Sequence, residues 1–195
     1  EKDLAELDLS CWRVAGIGAE PISAEQLHQF AECFRQVNFD DKTFMPCYGL
    51  AENALAVSFS DEACGVVVNE VDRDILEYQG KAVAPGAETR AVSTFVNCGK
   101  ALPEHGIEIR NEADIPVAER VVGHICISGP SLMSGYFGDQ VSQDEIAATG
   151  WLDTGDLGYL LDGYLYVTGR IKDLIIIRGR NIWPQDIEYI AEQEP

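Results

Sequence analysis

The sequence predicts an α/β fold: a partial parallel βαβ sheet, then a small β-barrel subdomain, then the first strand and helix of an α+β unit. Three observations predict it. A helical stretch, SAEQLHQFAECFRQVNF, lies between two apolar runs, CWRVAGIGAEPI and TFMPCYGL. From about residue 94 the texture changes to short apolar runs separated by turn residues. Near the tail an unbroken apolar run, DLIII, precedes a Gly turn and a Pro.

CWRVAGIGAEPI reads as a strand running into a Gly-containing turn. Ser23 then stands as an N-cap, with Gln26 three residues on to complete a capping box. Leu27, Phe30, Ala31, Phe34 and Val37 recur at helical spacing. TFMPCYGL is the next strand, and two strands joined by a helical crossover lie parallel. Ligands of such sheets gather beyond the C-terminal ends of the strands. Here those ends are the stretches 16–21 and 48–52.

Residues 61–92 mix short apolar runs with Gly80, Pro85 and Gly86, and read as an appended hairpin or loop excursion. STFVNCG, GIEIRN, VVGHICISG and GYLYVTGR read as strands of a small antiparallel barrel or sandwich. Asp162-Gly163 between apolar runs is a hairpin signal. The stretch DLIIIRGRNIWPQDIE reads as a buried strand, a Gly turn and a helix with Pro184 near its first position. Ile187, Ile190 and Ala191 would face a core. No internal repeat is present.

The 195 residues carry a formal charge of −19, which disfavours nucleic acid and anionic membrane surfaces as partners. No apolar run approaches the roughly 20 residues of a membrane span. Six cysteines and three histidines are scattered without metal-binding spacing, so none is assigned a metal or redox role. They read as reduced thiols of a cytoplasmic protein, packed as small apolar groups.

Two places carry candidate chemistry. Asp156 sits in Thr-Gly-Asp, read as a tight turn, and Arg170 ends the hairpin strand after it. A carboxylate can accept hydrogen bonds from two adjacent hydroxyls, as on a ribose, and an Arg can fork to a hydroxyl and a phosphate. Equally, the pair can be a solvated surface ion pair contributing at most about 1 kcal/mol. In CYGLAEN, Tyr48 can offer a ring to a planar base, Gly49 allows close backbone approach, and Glu52 suits Mg²⁺. Taken alone this is also an ordinary strand exit with a solvated Glu. Arg178 and Arg180 read as exposed surface charges.

The conjunction decides between these readings. G-A-E-P, Y-G-x-x-E, T-G-D and G-R-x-K-D, with G-R-N and P-x-D-I-E downstream, occur in that order across essentially the whole chain. This order resembles that of the adenylate-forming (acyl-activating) enzymes, and within them most closely the fatty acyl-AMP ligases. Ala51 in YGLAE and the GRIKDLIIIRGRNIWPQDIE stretch resemble that branch, as do the 47 positions from Glu52 to Gly99, room for the insertion it carries.

The resemblance implies an enzyme that joins a fatty acid to ATP with Mg²⁺, forming acyl-AMP and pyrophosphate. The acyl group would then pass to the phosphopantetheine thiol of an acyl carrier protein or carrier domain. It implies that Gly18, Ala19, Glu20 and Pro21 line an adenine pocket and that Tyr48 stacks on the base, beside Gly49. Ala51 would meet phosphate through its N–H, Glu52 would help hold Mg²⁺, and Asp156 would grip the ribose with Arg170 beside it. Lys172 would be the hinge between large and small domains. The implied divisions are 1–65 for the end of the nucleotide-binding subdomain of the adenylation domain, and 66–92 for the insertion. Residues 93–171 would form the barrel subdomain and 172–195 the hinge and start of the C-terminal domain. An acyl-CoA synthetase and a non-catalytic nucleotide- or partner-binding module are the competing readings.

Two family features are not found in these residues: the Ser/Thr/Gly-rich phosphate loop and the C-terminal Lys. The chain is therefore expected to begin midway through the large domain and to end just past the hinge, with exposed edges that favour self-association. The 195 residues by themselves are expected to be inactive. The check is pyrophosphate release, which should show no dependence on added ATP and fatty acid.

Overall fold

A computed structural model describes residues 4–184 together with Ile187 and Ala191. Strands β1 (Ala15–Ile17) and β2 (Phe44–Tyr48) lie parallel, in register from Ala15 opposite Phe44 to Ile17 opposite Pro46. Helix α1 (Ala24–Phe34) makes the crossover between them. Its first turn is capped as the sequence implies, with Ser23 Oγ accepting from the Gln26 N–H at 3.3 Å. Leu27, Phe30, Ala31 and Phe34 form the helix's apolar face and pack with Phe39, Phe44 and Ile17. The Phe30 and Phe39 rings meet edge to face at 5.3 Å. Strand β3 (Ser58–Phe59) then pairs antiparallel with β2.

The excursion after β3 is a hairpin with a helix in its loop. Strand β4 (Val68–Asp72) runs into helix α2 (Arg73–Gln79), which Asp72 caps by accepting from the Ile75 N–H at 3.0 Å. The chain returns as β5 (Val92–Val96), antiparallel to β4 over its full length. Val71, Leu76 and Ala82 of this unit are buried against Tyr159 and Tyr166. Strand β6 (Lys100–Ala101) then joins the first sheet, whose order is β1-β2-β3-β6.

Strands β7 (Gly106–Arg110), β8 (Gly123–Ser128), β9 (Leu152–Leu161) and β10 (Tyr164–Arg170) form an open antiparallel sheet in that order. The expected barrel does not close. Closure would need the edge strands β7 and β10 to pair, and among the described strands they do not. Here β5, which the sequence grouped with the barrel, pairs with β4, and β6 pairs with β3. The two sheets instead meet along a seam, where Cys98 N donates to Leu165 O and Leu165 N to Gly99 O, both at 2.8 Å. Gly99 is obligatory at this seam. Its φ is +90°, and a Cβ there would lie 1.8 Å from the Phe59 carbonyl oxygen.

The β9–β10 turn is the expected two-residue hairpin, with Asp162 at φ 53° and Gly163 at φ 77°. Both angles are positive, as a type I′ turn requires. Helix α3 (Gln140–Thr149) was not anticipated from the sequence. Its signals are Asp139, which caps the Val141 and Ser142 N–H groups, and Gly150 at φ 71° closing the last turn.

Strands β11 (Ile175–Ile177) and β12 (Arg180–Ile182) form a separate hairpin, turned by Arg178 and Gly179 at φ 52° and 78°. The expected buried strand is exposed: Ile176 keeps 66% of its surface. Among the described residues it pairs with β12 alone. The expected helix after Pro184 falls mostly outside the described residues, Ile190 included. Arg180 is not a free surface charge. Its Nε donates to Glu77 of α2, a carboxylate only 3% exposed, because a buried charge needs a partner. Among the described residues no helix is long and apolar enough to cross a membrane.

Ile125 is fully buried in the main cluster with Val57, Ile109, Ile127, Leu152 and Leu165. Ile125→Ala is expected to cost about 2–5 kcal/mol through lost packing and the cavity left behind. Chemical denaturation should give a lower midpoint with the same slope.

Candidate active site

The parallel register of β1 and β2 brings their C-terminal ends to one edge. Beyond β1 run Gly18, Ala19, Glu20 and Pro21, of which the last three are exposed. Gly18 rests on β2: a Cβ there would lie 2.8 Å from the Cys47 carbonyl oxygen and 2.9 Å from its sulfur. Cys47 Sγ in turn points to the Ile17 carbonyl at 3.2 Å. Ala19 takes φ 70°, a conformation a side chain rarely adopts, and this turns the chain out toward Glu20.

Beyond β2 the chain folds tightly on itself. Gly49 is required, since a Cβ would lie 1.7 Å from the Leu55 carbonyl oxygen. Ala51, Glu52 and Asn53 form a single 3-10 turn. Ala51 begins it and is exposed, with an N–H that has no partner within the turn. Glu52 is half-buried, and its Oε1 accepts from the Tyr136 hydroxyl at 2.8 Å. That bond, then burial, raises the Tyr136 phenol above its ordinary value.

Asp156 reaches this edge from the second sheet. Thr-Gly-Asp is not a free turn but a bulge within β9: between His124 and Cys126 the β8–β9 register slips, and Gly155 takes φ 75°. The bulge is pinned on both sides. Thr154 Oγ1 donates to the Ile125 carbonyl at 2.8 Å, and Asp153 accepts from the Gly155 N–H at 2.9 Å and faces His124 Nδ1 at 2.8 Å. Arg170 lies directly opposite Asp156 on β10.

The structure therefore joins three of the residues singled out in the sequence. The buried Asp156 carboxylate accepts from the Tyr48 hydroxyl at 2.7 Å through Oδ2 and from Arg170 Nε at 3.1 Å through Oδ1. Each oxygen keeps a further lone pair, and the guanidinium keeps its terminal N–H groups, on a side chain 69% exposed. Tyr48 is buried, and its ring belongs to the main apolar cluster. What it gives the site here is its hydroxyl rather than an open ring face. Burial, and after it the negative charge of Asp156, hold that phenol far above its ordinary value. Lys172 stands apart, exposed in the single 3-10 turn between β10 and β11. Sequence reasoning missed Tyr136; no local motif links it to a glutamate 84 positions earlier, and only the fold does.

A parallel strand pair with glycine-lined exits thus lies beside a carboxylate that keeps free lone pairs and an adjacent guanidinium. The family model for AMP-binding enzymes matches residues 1–137, and the chain belongs to that family. A solved structure from work on fatty acyl-adenylate ligases of E. coli and L. pneumophila covers the whole chain at TM-score 0.98 and 98% identity. This chain covers 36% of that one. A Caulobacter vibrioides (strain NA1000 / CB15N) protein named among the acyl-CoA synthetases is 44% identical over 195 residues, 99% of this chain and 34% of its own. A medium-chain-fatty-acid–[acyl-carrier-protein] ligase of Moorena producens (strain JHB) is 38% identical over 199 residues, 97% of this chain and 34% of its own. The chain thus spans about a third of the length of the relatives it matches.

The raised phenol of Tyr48 has a consequence at high pH. Its folded value lies above its ordinary one, so its contribution to stability is complete below about pH 10 and lost as pH rises beyond that. Tyr159, held up by burial in the same direction, adds to the loss. Denaturation between pH 8 and 11 should show stability falling at the alkaline end, with a shallower fall in Tyr48→Phe.

Proposed function

We propose that this chain carries the ribose-facing and metal-facing part of an ATP-dependent fatty acyl-AMP ligase. The observation that carries the reading is the Tyr48–Asp156–Arg170 cluster at the strand ends, in a chain of the AMP-binding family. In the reaction a fatty-acid carboxylate oxygen attacks the α-phosphorus of ATP. The bond to the β-phosphate oxygen breaks, and acyl-AMP and pyrophosphate result. Such a step needs positioning and charge neutralisation more than covalent help from the protein.

Asp156 accepts the two ribose hydroxyls on lone pairs that Tyr48 and Arg170 leave free. Arg170 extends its remaining N–H groups toward phosphate. Gly18, Ala19, Glu20 and Pro21 flank the base, while Tyr48, its ring buried, serves through the hydroxyl it gives to Asp156. Gly49 lets the backbone approach, and the Ala51 N–H meets phosphate. Glu52 suits Mg²⁺ on donor chemistry: it offers carboxylate oxygens, and Mg²⁺ is commonly held by one or two carboxylates with phosphate and water completing its shell. No group of three or more His, Cys, Asp or Glu forms a ready-made cage among the described residues. Bound there, Mg²⁺ would neutralise phosphate charge.

The acyl-AMP then passes its acyl group to the thiol of a carrier protein, with AMP leaving. The Moorena producens relative is named for a carrier-protein acceptor, which supports this partner. The bond between Arg180 and Glu77 supports assigning residues 66–92 as an insertion that restrains the segment beyond a hinge at Lys172. On the same reading 1–65 end the nucleotide-binding subdomain, 93–171 form the next subdomain and 172–195 open the mobile domain. Six free thiols, three of them exposed, suit a reducing compartment such as the cytoplasm. The Caulobacter relative favours a second reading, an acyl-CoA synthetase, which would release acyl-CoA when CoA is supplied.

Titration of the full-length enzyme with a non-hydrolysable acyl-AMP analogue tests the site. Asp156→Ala should weaken binding about ten-fold or more, since ~1.4 kcal/mol is lost for each factor of ten. Unchanged affinity in that variant would remove Asp156 from the ribose.

A further inference from the structure

The turn that carries Glu52 is held from outside by one segment, residues 129–139. Met133 N donates to the Glu52 backbone oxygen at 2.7 Å, and the Tyr136 hydroxyl donates to Glu52 Oε1 at 2.8 Å. The same segment is fixed at both its ends. Near its start, His105 Nε2 and Ser131 Oγ lie 2.6 Å apart while His105 Nδ1 faces the Pro103 carbonyl at 2.9 Å. The ring nitrogen facing the carbonyl donates to it, and the other ring nitrogen shares a hydrogen bond with the serine hydroxyl. Near its end, Tyr136 N donates to Ser142 Oγ at 3.2 Å, and its carbonyl accepts from Gln143 Nε2 at 2.9 Å. Both partners sit on α3. Gly135, at φ 131°, lies so close to Gln143 that a Cβ would come within 2.3 Å of that side chain. Tyr136 keeps 47% of its surface, yet its backbone is fixed and its hydroxyl is committed.

We propose that Tyr136 is a positioning residue for Glu52, orienting its carboxylate toward the metal that accompanies ATP. The inference rests on the reading of Glu52 as a Mg²⁺ ligand. A glutamate has three rotatable side-chain bonds, and a half-exposed one samples several rotamers unless something holds its head. A neutral phenol is suited to the task. It fixes one oxygen by a single hydrogen bond and leaves the carboxylate's negative charge uncompensated, available to a cation. Lys or Arg in its place would hold the head equally well but cancel the charge the metal needs.

The test uses the full-length enzyme with Mn²⁺ as probe, its affinity read by electron paramagnetic resonance in the presence of α,β-methylene-ATP. Tyr136→Phe should weaken Mn²⁺ about ten-fold, the lower end for residues that orient a metal ligand. Metal-free AMP affinity and the thermal midpoint should stay at wild-type values. Glu52→Gln should weaken Mn²⁺ at least as much, and the double variant no further than Glu52→Gln alone, because the two side chains act as one unit. Wild-type Mn²⁺ affinity in Tyr136→Phe, with loss in Glu52→Gln, overturns the proposal and leaves Tyr136 a clasp for its segment. Wild-type affinity in Glu52→Gln removes the metal reading of Glu52 itself, and the role given to Tyr136 with it. The two failures differ in which variant is silent.

Discussion

A buried carboxylate must be compensated or it will not stay buried, and Asp156 meets that requirement with groups from two different sheets. Tyr48 comes from the end of β2, and Arg170 from β10. The three side chains are therefore a tie between sheets as well as a candidate site. They fix the distance from the β2 strand end to the β9 bulge, and everything mounted on either side inherits that spacing. The Cys98–Leu165 seam does the same for the backbone further along. Between the two ties the main apolar cluster, with Val57, Ile125 and Leu165 fully buried, has little room to shift.

The candidate site is made from backbone features that few sequences can adopt. Gly49 and Gly18 let one segment lie against another where a methyl group would collide. Gly155 turns the strand just before Asp156, so that a carboxylate in a regular ladder is aimed from a bulge instead. The side chains around these points are held by partners far away in sequence: Tyr136 on Glu52, and His124 with Asp153. Local strain and distant clasps are complementary here. The first sets the direction of a group, and the second prevents it from relaxing.

This division explains what could be read from the residues alone. The βαβ unit was legible because its determinants are local: the Ser23 cap, the helical recurrence from Leu27 to Phe34, and two apolar strands. The Asp162-Gly163 hairpin was legible because both angles are written into those two residue types. The barrel was misjudged because strand pairing is non-local. Nothing in STFVNCG says that its first four residues pair with residues 68–71 while only its last three meet β10. The site obeyed the same rule. Asp156, Arg170, Tyr48 and Glu52 were named from ordered motifs. The burial of the Tyr48 ring and the Tyr136 clasp depend on which segments meet, and pattern does not carry that. Arg180 was mistaken for a solvated charge because its partner, Glu77, lies 103 positions earlier.

That last pair has a consequence for motion. Glu77 is buried on α2 and paired with Arg180, and that cation is mounted on the exposed hairpin β11–β12. Through that bond, and with Arg180 lying over the Tyr78 ring at 5.8 Å, the hairpin cannot drift away freely. Any arrangement in which it leaves α2 must hand the carboxylate to water or to another donor, at the cost of opening the helix around it. Departure of the last strand pair and hydration of Glu77 are therefore a single event. A probe that senses water at that one side chain would report the position of the whole segment.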